Sequence, residues 1–305
     1  MDTEQAKHND RIIGTYTGHT KGTLLLVTAA VHGNEPSGVL ALEEIFKTLK
    51  KENPPMAGTL VGIVGNVAAY KNNVRFIDED LNRTWTTENL KTEATDTQEK
   101  KEMHQLIELL EDFETIPYTN RYFIDCHTTS SESLPYISVQ DKGDNDFFAH
   151  KFPIHVIRGF SDMVEGTIDG YLSEQGITGF TVEAGQHESK SSKTYHEGVI
   201  WTALQEACEL NFDDLRDIPA SVLKLMNSTP PQKTLEIVHR FGLKESDVFE
   251  MCPGFENFQP IKKGEHLALL NGRQINSVWD AYIFMPLYQS QGNDGFFVVR
   301  EVSSL

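Results

Sequence analysis

Two histidines and a glutamate in this chain have the types and spacing of metal ligands. His32 and Glu35 stand three residues apart in Val31-His32-Gly33-Asn34-Glu35-Pro36, and His127 closes Tyr122-Phe123-Ile124-Asp125-Cys126-His127 far downstream. An imidazole and a carboxylate on one tight loop, met by a second imidazole from another strand end, match the His₂Glu set of a catalytic zinc site. Such a site leaves one position for water, which the metal brings to hydroxide near neutrality. An H-x-x-E taken alone also reads as a surface histidine with an unrelated acid nearby. The elements that carry these residues weigh against that alternative.

The run Thr23 to Ala30 is too short to span a membrane and too rich in Leu and Val for a surface, so it reads as a buried strand. Pro36 suits a first helical position, where its missing N–H would have had no partner. His32 and Glu35 are thus expected on a strand-to-helix loop at the carboxyl edge of a sheet, where open α/β folds place their sites. The spacing of Val39, Leu42, Ile45, Phe46 and Leu49 predicts a helix from Pro36 to Lys50. Strands are predicted at Arg11–Thr17 (a sheet edge), Thr59–Asn66, Tyr122–Cys126, Pro135–Val139, Ile154–Ile157 and Gly179–Glu183. Thr84 to Thr95 reads as an exposed loop, and Asp96-Thr97-Gln98-Glu99 as a capping box opening a helix striped by Met103, Leu106, Ile107, Leu110 and Phe113. Further helices are predicted within Gly166–Gly176 and from Thr194 to Leu210. Strands alternating with helices indicate an α/β domain with a largely parallel sheet.

Polar and Pro-rich stretches at 213–219 and 228–231 read as a linker, giving a catalytic domain over 1–215 and, over 216–305, the linker with a small all-β domain. The chain has 305 residues, 39% hydrophobic and 24% charged, an ordinary globular composition. Its net charge of −18 argues against nucleic acid and anionic membranes as partners. Three cysteines without paired spacing suit a reducing compartment. With no apolar segment at Met1–His8 and no membrane-length run, a cytoplasmic location is expected. Homo-oligomerisation is left open.

A second polar cluster, Asn72 to Arg83, holds two arginines and three acids in twelve positions. Arginine presents a rigid fork of donors that fits a carboxylate; a solvated charged loop is the alternative. Taken in order, His32-Gly33-Asn34-Glu35, Asn72-x-x-Arg75, Asp80-Leu81-Asn82-Arg83, Asp125-Cys126-His127 and Val182-Glu183-Ala184-Gly185 resemble the succinylglutamate desuccinylase/aspartoacylase family. The resemblance implies a zinc-carboxypeptidase-like domain with a mostly parallel central mixed sheet flanked by helices, a β-rich tail, and one Zn²⁺ per chain on His32, Glu35 and His127. It further implies that Asp80 orients the first ligand histidine and that Arg75 polarises the scissile carbonyl. Asn82 and Arg83 would grip a substrate carboxylate, and Glu183 would be the general base. One departure stands out. The aspartoacylase branch reads the acyl carboxylate with an arginine ahead of the catalytic glutamate, whereas Gly170-Tyr171-Leu172-Ser173-Glu174-Gln175 has none; Arg158 is the nearest upstream.

The expected activity is therefore zinc-dependent cleavage of an N-acyl amino acid or similar small amide bearing a carboxylate. A zinc carboxypeptidase and a catalytically silent zinc-containing binding protein are the alternatives. Asp125 is a candidate for a further hydrogen bond near the metal, and Cys126 reads as a small buried side chain. His187 is expected on an exposed loop, and Thr128–Ser131 as turn chemistry. Segments 261–268 and 278–283 look like pieces of a lipoyl- or biotinyl-type β-sandwich, but Ala281 stands where a carrier lysine would follow Asp280. The tail is expected over the active-site mouth, with Tyr288 either reaching it or serving a structural role.

Overall fold

The computed structural model describes residues 10–92, 95–114, 116–228, 230–289 and 291–303; the stretch Met1–His8 lies outside them. In chain order the first part comprises β1 (Ile12–Thr17), β2 (Thr20–Ala29), α1 (Ser37–Glu52), β3 (Ala57–Val64), α2 (Val67–Asn72), α3 (Thr87–Thr92), α4 (Gln98–Glu114) and β4 (Arg121–Thr129). There follow β5 (Tyr136–Ser138), α5 (Asn145–Ala149), β6 (His155–Arg158), α6 (Ile168–Glu174), β7 (Thr178–Gln186), α7 (Lys190–Cys208) and α8 (Ala220–Ser228). The centre of the sheet runs β3-β2-β4-β7, all parallel, with β1 antiparallel at the edge and β5 antiparallel beside β7. Helices α1 and α7 bury their apolar faces on one side of it, and α4 and α6 pack on the other. The fold is thus α/β on a large mixed sheet.

Two local expectations change. The exposed loop at 84–95 contains α3, which buries none of its side chains. The linker expected around 213–231 contains α8, whose Val222 and Leu225 join the core on α7. Gly198 of α7 makes that contact possible, since a Cβ there would fall 2.7 Å from the Ser221 carbonyl oxygen.

The tail supplies β8 (Thr234–Gly242), β9 (Phe249–Met251), β10 (Pro260–Ile261), β11 (His266–Leu270), β12 (Arg273–Asn276), β13 (Ala281–Phe284) and β14 (Asp294–Val302). Its described residues are strands and turns only, but the main sheet continues into them. Strand β8 pairs in parallel with β6, and the order continues β8-β14-β13-β10, giving eleven strands in one sheet. Strands β12-β11-β9 form a separate sheet of three. The division into 1–215 and 216–305 remains a proposal from the sequence.

One buried histidine ties the two helical faces of α1 and α7 to the strand that carries His127. His196 of α7 is 1% exposed. Its Nε2–H donates to the His127 carbonyl oxygen at 3.1 Å, and its Nδ1 accepts from the Ser37 hydroxyl at 3.2 Å. The Ser37 contact needs the neutral ring, because a protonated Nδ1 cannot accept. Burial accordingly pushes its pKa down to about 4. The unfolded chain therefore binds the proton first as pH falls, so this contribution is complete above pH ~6.5 and lost toward pH ~4. The metal-free wild-type protein should lose roughly 3 kcal/mol more over that window than a His196→Asn variant, at about 1.4 kcal/mol per pKa unit. Urea unfolding at pH 7, 5.5 and 4.5 measures it; parallel curves for the two proteins would show that His196 does not titrate on unfolding.

Candidate metal centre and active site

Sharp turns follow both β2 and β3, and they bring the two polar clusters together. Ala30 takes a left-handed φ of 52° as the chain leaves β2. Gly33 then presses against α2, where a Cβ would lie 2.1 Å from the Ala69 carbonyl carbon, and its N–H donates to the Arg75 carbonyl at 3.1 Å. No larger residue fits at position 33 in this arrangement.

His32, Glu35 and His127 are 6%, 2% and 3% exposed, and one ligand atom from each falls within 4.8 Å of the others. Nδ1 of His32 lies 2.9 Å from Glu35 Oε1, and Nδ1 of His127 lies 3.3 Å from Glu35 Oε2. Behind each ring stands a carboxylate: Asp80 Oδ1 at 3.0 Å from His32 Nε2, and Asp125 Oδ2 at 2.8 Å from His127 Nε2. A carboxylate accepts, so each Nε2 carries hydrogen. In the neutral imidazole Nδ1 is then a lone pair aimed at another lone pair on Glu35. That repulsion disappears if a cation sits among the three atoms or if both rings are protonated. The donor set, two Nδ1 lone pairs and a carboxylate with oriented outer partners, fits zinc.

The electrostatics express the same crowding. Burial would raise Glu35, but the His32 and His127 imidazoles outweigh it and hold the carboxyl well below its usual range. Burial would lower His127, yet Asp125 and Glu35 hold it well above normal. For Asp80, the His32 ring and Arg75 overcome burial and keep the acid ionised. Glu183, 8% exposed, is different: burial pushes its pKa up to about 8, and its Oε2 has no hydrogen-bond partner. Glu183 pairs across the sheet with His127 on one side and Tyr136 on the other, so all three point to one face.

The remaining sequence candidates fall around the same cavity, which encloses about 350 Å³. Arg75 donates from NH2 to Asp80 Oδ2 at 2.9 Å, lies 3.8 Å from Glu35, and keeps an unpartnered Nε. Asp80 also caps the short 3-10 turn Leu81–Arg83 through the Asn82 N–H. Asn82 uses its Oδ1 to accept from Ile168 N at 2.9 Å. Arg83 lines the cavity and meets Asp294 at 3.2 Å. Arg158 does not enter; both its prongs go to Asp146 at 2.7 Å. Tyr288 is structural: its hydroxyl donates to the Cys252 carbonyl and accepts from Phe255 N. His187 corrects the expectation of an exposed loop residue. It lines the cavity, its Nδ1 2.8 Å from the Thr128 hydroxyl. Thr128 also donates its backbone N–H to Glu35, so this segment is more than turn chemistry.

Glu99 was hidden by its own local pattern. The expected capping box does not form as read, because Thr97 caps α4 through the Lys100 N–H. Glu99, 0% exposed, instead accepts from three consecutive backbone N–H groups, those of Ile77, Asp78 and Glu79, and from Asn66 Nδ2. A buried carboxylate thereby fixes the loop between Arg75 and Asp80. Sequence signals local caps, and this clasp spans twenty residues.

A mixed α/β sheet with a buried His-Glu-His set at its carboxyl edge marks an α/β protein whose edge could hold a metal ion. The succinylglutamate desuccinylase/aspartoacylase catalytic domain matches residues 21–199, and the chain belongs to that family. It is 30% identical over 282 residues to a succinylglutamate desuccinylase of Shewanella frigidimarina, covering 87% of this chain and 77% of that one. A probable aspartoacylase of Prochlorococcus marinus is 24% identical over 273 residues, 86% and 81% of the two chains. The match to the Pseudomonas syringae desuccinylase spans only 31% of that protein's length, at 28% identity. Among solved structures, the succinylglutamate desuccinylase of Vibrio cholerae superposes with a TM-score of 0.65 at 18% identity, over 93% of this chain and 82% of that one. At that identity the likeness shows the fold.

Replacing Glu99 by Gln puts an NH₂ against N–H donors. An unmade buried hydrogen bond costs about 1–3 kcal/mol. Glu99→Gln should therefore lower the melting temperature and, by loosening Asp80 behind His32, weaken zinc binding about tenfold or more, the scale on which outer-shell changes act. Competition with a chromogenic chelator measures it; wild-type zinc affinity would show that the clasp does not reach the metal ligands.

Proposed function

We propose that this chain is a zinc-dependent amidohydrolase that releases an amino acid from its N-acyl derivative. Membership of a family of deacylating hydrolases supports the reaction class. The observation that carries the metal is the pair of Nδ1 atoms facing the two oxygens of Glu35, each ring backed by its own carboxylate. His32, Glu35 and His127 would hold one zinc per chain, which when bound supplies Lewis acidity and lowers the pKa of water.

The chain's own residues carry the rest. Glu183, its Oε2 without a partner, would in its ionised form take a proton from the attacking water and deliver it to the leaving nitrogen, so that the amine departs neutral. Arg75, anchored by Asp80, offers its remaining N–H groups to the carbonyl oxygen as negative charge develops there. Asp80 and Asp125 hold the imidazoles in one tautomer. Asn82, whose Oδ1 is committed, presents its NH₂ beside Arg83, and together they take the substrate carboxylate. Tail residues Met285, Leu287 and Gln289 line the cavity and narrow it, which favours a small amide over a peptide. The chain is proposed to act in the cytoplasm on a free small molecule, without nucleic acid or membrane; no helix of the described residues is long and apolar enough to cross a membrane.

Metal analysis joined to turnover tests this reading. Wild-type protein should carry one zinc, His32→Ala and His127→Ala should lose it, and Glu183→Gln should keep it while losing about 10²–10⁴ in kcat. Full zinc in both histidine variants, or wild-type turnover in Glu183→Gln, would remove the proposal.

The arginine grip has its own measure. Lysine cannot reproduce the fork, so Arg83→Lys should raise KM about tenfold or more while changing kcat less, since a charge-assisted hydrogen bond is worth about 1.5–3 kcal/mol. Equal turnover of a substrate without its carboxylate would show that Arg83 does not bind one.

A further inference from the structure

The cavity continues past the metal ligands. Behind the row His127, Glu183 and Tyr136 comes the row Asp125, Thr181 and Ser138 across the same three strands. Two residues of strand separate the rows, about 7 Å. Thr181 and Ser138 line the cavity, as do Gln140 beyond Ser138 and Asp169 from the first turn of α6. These four polar side chains belong to residues between 5% and 8% exposed. They form a buried polar arm leading away from Glu183.

Asp169 closes the arm. Its Oδ2 accepts from Gln140 Nε2 at 3.0 Å and its Oδ1 from Gly170 N at 2.8 Å; among the described residues no lysine or arginine pairs with it. Gln140 thus spends one N–H of its amide on Asp169 and keeps the other, with its carbonyl oxygen, to offer. The nearby arginines are engaged elsewhere: Arg75 with Asp80, Arg83 with Asp294, Arg158 with Asp146. An acid is rarely this buried without a cationic partner. Asp169 is the charged group among the four and meets only neutral donors, so the missing complement is a donor with positive charge.

We propose that the arm receives a cationic amino group of the substrate, with Asp169 as its ion-pair partner and Gln140, Ser138 and Thr181 as further acceptors. The substrate is then an N-acyl amino acid carrying a second, free amine in addition to its carboxylate. An acyl group ending in a carboxylate, such as succinyl, meets like charge there. This rests on the deacylase reading and specifies its substrate. An acid in the first turn of a helix is also stabilised by the backbone N–H groups, and a purely structural Asp169 is the competing explanation.

Zinc-loaded full-length protein distinguishes these. Nα-acetyl-ornithine is compared with Nα-acetyl-norleucine, and N-(4-aminobutyryl)-glutamate with N-pentanoyl-glutamate, with N-succinyl-glutamate as the anionic reference. The cationic member of at least one pair should lead its neutral isostere in kcat/KM by about tenfold or more, the scale of one charge-assisted hydrogen bond. Asp169→Asn should abolish that lead while lowering the neutral member far less. Preference for the neutral or succinyl compounds throughout, or equal losses for both members of a pair in Asp169→Asn, would overturn the proposal and leave the deacylase reading standing. If no amide is cleaved, the deacylase reading falls instead. The arm is then judged by calorimetric binding of Nα-acetyl-ornithine against Nα-acetyl-norleucine, where equal affinities would overturn it.

Discussion

Glu35 sits 2% exposed between two imidazoles, and much of the architecture follows from keeping that carboxylate charged and immobile. A buried carboxylate is costly unless every lone pair finds a donor or a cation. Glu35 receives a backbone N–H from Thr128 and faces two ring nitrogens. The rings then need acceptors of their own, which brings in Asp80 and Asp125. Those acids in turn need donors: Arg75 and the Asn82 N–H serve Asp80, and the Thr28 hydroxyl serves Asp125 at 2.6 Å. Each buried charge thus calls for the next until the network reaches backbone that the fold supplies.

The sheet makes that closure possible. Thr28 and Asp125 are register partners on β2 and β4, so the hydroxyl beside the acid follows from strand pairing alone. His127 and Glu183 are partners on β4 and β7. A parallel centre sends three successive strand ends to the same edge, and the loops there carry the groups that strands cannot. Glu99 then pins the longest of those loops from behind, using a helix that also buries Met103 and Leu106 in the core. Site and core are held by the same elements.

The sequence made some of this legible and hid the rest for physical reasons. The strand ends carrying His32, His127 and Glu183 could be read because apolar runs and turn residues are local signals. Asp80 and Arg75 could be read only through ordered motifs, since nothing local says that a carboxylate forty-eight residues on meets His32. Glu99 was misread as a cap because capping and long-range clasping use the same residue type. His187 was placed in solvent because burial of a loop histidine depends on Gln289 and its neighbours, over a hundred residues away. Helix α8 was lost among prolines and aspartates that flank it. The continuation of the sheet through β6 and β8 leaves no trace in periodicity at all.

The tail contributes charge as well as cover. Asp294, the first residue of β14, meets Arg83 through one oxygen and Arg240 of β8 through the other. Two guanidinium groups share one carboxylate, so these three groups together carry one net positive charge. Had Asp294 faced Arg83 alone, the pair would be neutral, and a substrate carboxylate would have to displace an acid already in place. With Arg240 holding the other oxygen, a second carboxylate can join Arg83 without stripping it from Asp294. The position of Arg240 is itself fixed, since it also donates to the Met163 carbonyl at 2.8 Å. In the substrate reading proposed above, Arg83 meets the substrate carboxylate and Asp169 its amine, and both residues line the cavity. Fixed charges so placed would orient a substrate carrying one charge of each sign before any bond is broken.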